Sequence, residues 1–387
     1  MKKLLLFALI AITITAFNAC SKDNNGDNNW TDNSPIIEFE DPYFEEALLD
    51  LNIDKNKDRK ISEKEASVIV SLDISWYDDD QVKIRNIDEI SYFKALKDLN
   101  CCDNQLASLD VNQNIALGYL YCANNQLTSL DVSGATALDW LNCEGNQLTS
   151  LKTNTALEYL GCSANPLTSL NVSKNTALKE LSCFNNQLTS LDVSKNTALE
   201  HLDCSNNQLT SLEVSKKATA LEWLDCSNNQ LTSLDVSKNT ALETLHCYNN
   251  QLTSLDVSGA TALETLHCYN NQLTSLDVSK NTALEHLDCS NNQLTSLKTN
   301  TALHTLSCSN NQLTSLDVSK NTALEALACN YNQLTSLDVS KCKKLKILYC
   351  GENPNLKSII IYKYHIMEQY CLDAITKEYG DIITYKE

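Results

Sequence analysis

The sequence predicts a mostly β solenoid of about 13 turns, each roughly 21 residues long, with a parallel β-sheet on its concave face and a small α-helical N-terminal cap. Three observations predict it. A cysteine returns thirteen times at one place in the repeat, at Cys101, Cys122, Cys143, Cys162, Cys183, Cys204, Cys226, Cys247, Cys268, Cys289, Cys308, Cys329 and Cys350. Leucines hold fixed offsets around each of them. An asparagine stands three residues after every one, from Asn104 to Asn353.

Taken from the N-terminus, residues 1–19 are a processing signal. Lys2 and Lys3 precede an apolar run from Leu4 to Phe17, then Asn18-Ala19-Cys20. A basic start, a short apolar stretch and a small residue before the cut describe a secretory signal peptide. The cysteine directly after Ala19 makes it resemble a bacterial lipoprotein signal. That resemblance implies acyl chains on Cys20 and a chain anchored by lipid to the outer membrane, and more than one acyl chain gives stable anchoring. Residues 20–34 are rich in Asn and Asp and nearly free of apolar side chains, the composition of a flexible tether. Acidic stretches after a lipidated cysteine resemble the surface-export signals of some Gram-negative lipoproteins.

Residues 35–92 lack the repeat and are read as a helical N-terminal cap. Pro42-Tyr-Phe-Glu-Glu-Ala-Leu-Leu-Asp-Leu fits a short amphipathic helix with proline at its start. The next stretch fits a 12-residue calcium loop of EF-hand type. Asp54, Asn56 and Asp58 occupy its first, third and fifth positions, Lys60 gives a backbone carbonyl, and Ser62 and Glu65 complete the set. Arg59 stands where such loops carry glycine, at the position that needs a positive φ. The expected role of Ca2+ is structural, beneath the first turn, where Leu72 starts the sheet.

Residues 93–355 are the repeats. With Leu199 as position 1, the apolar positions are 1, 4, 6, 11, 14, 16 and 21: Leu199, Leu202, Cys204, Leu209, Leu212, Val214 and, displaced by one inserted residue, Ala220. Leu-x-Cys alternates with period 2, as a short strand does, and positions 11–16 read as a second extended segment. Ser-Lys-Asn-Thr supplies the turn. Position 9 is always asparagine, whose amide both donates and accepts and so suits a buried column at the bend. Position 10 is proline at Pro166 and Pro354, which argues that its N–H is not a ladder donor. The spacing shortens to 19 before Cys162 and Cys308 and lengthens to 22 before Cys226, each change falling in the turn. Residues 356–387 form the C-terminal cap.

The pattern Leu-x-x-Leu-x-Cys-x-x-Asn-Gln-Leu-Thr-Ser-Leu-Asp-Val resembles the cysteine-ladder leucine-rich repeat of the internalin J type, over roughly Phe93 to Pro354. That resemblance implies a leucine-rich-repeat solenoid in a bacterial surface protein engaged in adhesion, with an extracellular protein or glycan as partner.

Seventeen cysteines in an exported chain would suggest disulfides. Neighbouring strands lie about 4.8 Å apart, so equivalent Cβ atoms sit outside the roughly 3.5–4.5 Å a disulfide prefers. The ladder is therefore read as free buried thiols. A Cys342–Cys371 bridge near the C-terminus stays open.

Positions 3, 5, 7 and 8 flank the buried side chains and should point outward. They carry Tyr119, Tyr121, Trp140, Tyr159, His201, Trp223, His246, Tyr248, His267, Tyr269 and His286. Rigid aromatics on an exposed sheet suit recognition of protein or glycan. The position-5 run Asp203, Asp225, His246, His267, Asp288 has the residue types of a transition-metal site, with plain Asp–His pairing as the simpler reading. The net charge of −19 argues against nucleic acid. No nucleophile–base pair, phosphate-binding glycine loop or zinc-protease motif is present, so the chain is not read as an enzyme. The expected function is a monomeric, surface-anchored binding protein; the alternative is a structural component of the envelope without a soluble ligand.

Overall fold

The computed structural model describes residues 32–75, 83–214, 220–364 and 367–387. Cys20, residues 1–19, most of the proposed tether and the Lys216-Lys217-Ala218 insertion lie outside the described residues. The chain is a parallel β solenoid. Fourteen short strands form one continuous sheet in sequence order: Ser71–Asp73 from the cap, then one strand from each cysteine turn, ending at Ile347–Tyr349. Every pairing is in register, leucine on leucine, as Leu202 on Leu181 and Leu224. The central leucine of each strand points inward, so its two neighbours must face outward.

The second extended segment forms only in patches. Among the described residues, strand pairs occur at Ser129–Asp131 with Ser150–Lys152, Ser190–Asp192 with Ser211–Glu213, and Ser275–Asp277 with Ser296–Lys298. A last patch joins Leu337–Asp338, Ile359–Tyr362 and Ile383–Lys386.

The position-9 asparagines hold the coil together. Asn207 Nδ2 donates to the carbonyls of Cys183, Cys204 and Ser205 at 3.0–3.2 Å, while its Oδ1 accepts from Leu188 N–H at 3.0 Å. One buried side chain thereby closes its own bend and clips it to the turn before. The same set recurs at Asn125 and Asn332.

Three readings of the repeat need correction. Position 10 is a ladder donor: Gln208 N–H donates to Leu188 O and Gln187 N–H to Leu167 O, both at 2.9 Å. Pro166 and Pro354 forgo that bond rather than reveal its absence. Position 21 is not core, since Ala198 and Ala220 are only partly buried. The inward residue of that turn is position 19, fully buried at Asn114, Asn175, Asn196, Asn281 and Asn321. Asn196 Nδ2 reaches Val172 O and Asn175 O at 3.0 and 2.7 Å, a second asparagine column. Position 8 is not simply an outward decoration. All thirteen residues there, Asn206 among them, have φ of 52–63°, the left-handed region that asparagine and glycine tolerate best.

The thirteen ladder cysteines are buried free thiols; Cys342 and Cys371 are buried with no disulfide between them, and Cys342 Sγ donates to Val318 O at 3.4 Å. Burial pushes the ladder thiols far above the ordinary thiol range, so they stay protonated. Cys204 Sγ and Cys143 Sγ point at the next turn's carbonyls, Asp225 O and Gly161 O, at 3.5 and 3.3 Å.

Both ends are closed. Helix α1 (Pro42–Asp50) is capped by Asp41, and α2 (Glu63–Ser67) by a reciprocal Ser62–Glu65 box. Phe44, Leu48, Ile61 and Phe93 form the cap's core against the first turn. The cap begins earlier than residue 35, because Ser62 Oγ donates to Asp32 and Lys64 N–H to Ser34 Oγ. At the other end, α3 (Gln369–Tyr379) stands in for a missing next turn. Glu378 Oε1 accepts from Glu352 N–H at 2.9 Å, and Tyr379 Oη from Asn353 N–H at 3.1 Å. Those donors would otherwise end in an open edge.

Candidate functional site: the outer face of the main sheet

Register turns each outward position into a column running across the strands. Aromatic side chains on consecutive rungs therefore stack. Trp140 lies on Tyr159 with ring centroids 3.8 Å apart and planes 5° apart. His246 lies on His267 at 4.8 Å and 5°, and Tyr248 on Tyr269 at 4.5 Å and 6°. Trp223 meets His246 edge-on at 6.1 Å. These contacts hold the rings upright and half-buried, each ring covering part of its neighbour and leaving the rest at the surface at little entropic cost.

The structure divides the eleven aromatic and histidine residues into two clusters. The first holds Tyr119, Tyr121, Trp140 and Tyr159 on three rungs. The second holds Trp223, His246, Tyr248, His267, Tyr269 and His286 on four. His201 pairs in register with Trp223 and stands between them. His286 Nδ1 is tied to Thr305 Oγ1 at 2.9 Å. The position-7 column is more recessed than expected where it carries serine: Ser163, Ser205, Ser227 and Ser290 are buried.

Sequence reasoning missed Glu144, which belongs to the first cluster. Gly161 leaves a gap in the position-5 column, where an added Cβ would meet Tyr159 Oη at 3.0 Å and Glu144 Oε1 at 3.1 Å. The Tyr159 ring and the Glu144 carboxyl fill that gap. Desolvation there raises the Glu144 pKa, against the hydroxyls of Ser182 and Ser163 that lower it. The glycine itself was the available signal.

In the second cluster, His246 Nδ1 lies 3.4 Å from Asp225 Oδ2. Burial and the neighbouring His246 lower the His267 pKa, because stacked imidazoles resist double protonation. Among the described residues no three His, Cys, Asp or Glu side chains converge as a metal group. Among the described residues of the Asp203–Asp288 column one Asp–His pair forms, Asp225 with His246, while Asp203 and Asp288 accept from Ser205 and Ser290. A separate cleft of about 410 Å³ lies between α3 and the last rungs, lined by Tyr331, Tyr349, Glu378 and Tyr379.

In the cap loop, Lys57 and Arg59 are both left-handed, at φ 64° and 66°. Asp54 accepts from the N–H groups of Lys57 and Arg59 at 2.6 and 2.8 Å, Asn56 from Asp58 and Asp58 from Lys60, both at 2.9 Å. Glu65 is buried and accepts from Lys55 N–H and Ser62 N–H. The loop folds around its oxygens without three carboxylates meeting at one point. The Ser62 hydroxyl is committed to Asp32 and Glu65.

The family of leucine-rich repeats in two copies matches residues 176–217, 219–259 and 261–300. No curated protein matches. Among solved structures, the chain is similar to the functional domain of InlJ from Listeria monocytogenes, described as including a cysteine ladder: 36% identity, TM-score 0.60, over 79% of this chain and 71% of that one. It is similar to a leucine-rich repeat protein of Leptospira interrogans at 26% identity and TM-score 0.62, over 78% and 81%. An internalin of Listeria monocytogenes, inlF, shares the fold at 20% identity and TM-score 0.62, over 90% and 96%.

Proposed function

The chain belongs to the leucine-rich repeat proteins of the cysteine-ladder kind, and from that premise we propose that it is a recognition protein of the bacterial cell surface. In this reading it is exported, anchored by lipid at Cys20 to the outer membrane of a Gram-negative cell, and binds an extracellular protein or glycan through the outer face of its main sheet. Leucine-rich repeat chains serve as binding scaffolds rather than as enzymes, and the described residues contain no helix long and apolar enough to cross a membrane.

The observation that carries the proposal is the three ring-on-ring pairs standing outward on one face. Rigid, half-buried aromatic rings at a surface are what an interface uses as anchors. The experiment is a screen of the purified protein against extracellular-matrix proteins and glycans, alongside Trp140→Ala, Trp223→Ala, Tyr248→Ala and Tyr269→Ala. Saturable binding lost in these variants supports the face; binding unchanged in all four removes it.

Calcium in the cap loop is part of the same proposal, with Asp54, Asn56, Asp58, Lys60, Ser62 and Glu65 as its oxygen donors. The left-handed Arg59 supports it. Calorimetric titration of chelator-treated protein tests it, with Asp54→Ala as the blank. No heat up to millimolar calcium would remove it.

A further inference from the structure

The second aromatic cluster stands beside an acidic column. Position 2 carries Glu200, Glu222, Glu243, Glu264 and Glu285 on five consecutive rungs. Their backbones are stacked in register: from Glu222 on, each N–H donates to the previous glutamate's carbonyl at 2.8–2.9 Å, and Glu200 N–H donates to Lys179 O. Their carboxylates are exposed or half-buried. Asp203, Asp225 and Asp288 add three more carboxylates on the same strands. No lysine or arginine occupies positions 2 to 8 of these five rungs.

Elsewhere in the same column lysines interrupt the acids. Lys179 Nζ sits 2.6 Å from Glu158, and Lys346 Nζ 2.8 Å from Glu325. Repeating one charge on neighbouring strands about 4.8 Å apart is destabilising. At 0.15 M salt the screening length is about 8 Å, so adjacent charges reinforce one another's field. Among the described residues, Lys179 borders the panel at Glu200 and His304 approaches Glu285, at 3.8 Å. The carboxylates are spread along the face and form no convergent metal group among the described residues. A point cation is therefore a poor match, and an extended polycation is a good one.

We infer that this five-rung panel, Glu200 to Glu285 with Trp223, Tyr248 and Tyr269, docks a basic, arginine-containing segment of a partner protein. The inference rests on the proposed role of the sheet face and names the class of partner it takes. The panel spans about 19 Å, which six residues of extended peptide cover at roughly 3.3 Å each. Guanidinium groups pair with the carboxylates and lie against the aromatic rings. Ser227 and Ser290, small and buried, flank Tyr248 and Tyr269 in their own column, so no large side chain of that column covers the outer ring faces.

The test is fluorescence polarisation of the purified protein with a labelled eight-residue peptide of alternating Arg and Gly, against its Glu-Gly counterpart. The triple variant E222Q/E243Q/E264Q removes three panel charges. The triple variant D192N/D256N/D317N removes three exposed charges from the position-15 edge. Preference for the arginine peptide, at least a tenfold loss in the first variant and less than a twofold change in the second support the inference. Equal losses in both variants, or no preference between the peptides, would overturn it. A glycan or neutral protein whose binding falls in Tyr248→Ala/Tyr269→Ala but not in E222Q/E243Q/E264Q would also overturn it, while leaving the sheet face as the recognition surface.

Discussion

Two regions only a few residues apart on every rung behave oppositely. In the bend after each strand, positions 6, 8 and 9 keep one design along the coil: cysteine, a left-handed residue, then asparagine, while position 7 between them varies. The outward strand positions just before it change on nearly every rung, from Tyr119 to Trp140 to Glu180 to His201. The bend has no freedom, because one asparagine amide must satisfy carbonyls on two turns and an N–H on the previous one. The strand edges contact mainly water and the equivalent side chain on the next rung, so their identity is free to serve a partner. A solenoid can thus hold its architecture fixed and vary its surface.

The largest test of this contrast is Asn207→Ala. It strands the Leu188 N–H in the interior and removes a bond from each of the Cys183 and Cys204 carbonyls, while Ser205 O keeps its bond from Asn185 N–H, and should cost about 3–5 kcal/mol by urea unfolding. A cost under 1 kcal/mol would mean that water satisfies the bend. A second test uses the thiols. Native protein treated with iodoacetamide should leave the thirteen ladder cysteines unmodified by peptide mapping, whereas guanidinium should expose all of them. A third lies at position 8: Asn206→Ala should cost about 1 kcal/mol and Asn206→Gly far less, because only the alanine Cβ opposes φ of 53°.

The smallest effect is a pH dependence. His267 has a lowered pKa in the folded state, so its contribution to stability is complete above the unfolded histidine value of about 6.5 and is lost as pH falls below that toward the folded pKa. The melting temperature should therefore fall between pH 7 and pH 5, and His267→Gln should shrink that fall.

The solenoid, the ladder and the position-9 column were legible in the sequence because one residue type meets one geometric demand on every turn. The position-19 column was hidden because asparagine, alanine and cysteine all fit there: Asn196, Ala135 and Cys342 are equally buried. Two prolines misled at position 10, since a tolerated loss looks like an absent bond. The left-handed position 8 was veiled because asparagine is also an ordinary surface residue, and Tyr331 and Glu352 adopt the same φ. The aromatic residues were visible singly. Their grouping into two clusters, and the Glu144 carboxyl set over Gly161, depend on side-chain directions that spacing alone does not carry.

The most direct test of the division of labour compares two variants from adjoining rungs by urea unfolding: Asn250→Ala, and Tyr248→Ala/Tyr269→Ala. Asn250 makes the same set of bonds as Asn207. The account predicts an unfolding midpoint sharply lowered in the first and within about 1 kcal/mol of wild type in the second. A tyrosine variant that destabilises the coil as much as the asparagine variant would contradict it, because the rings would then belong to the core and not to a surface left free for a partner.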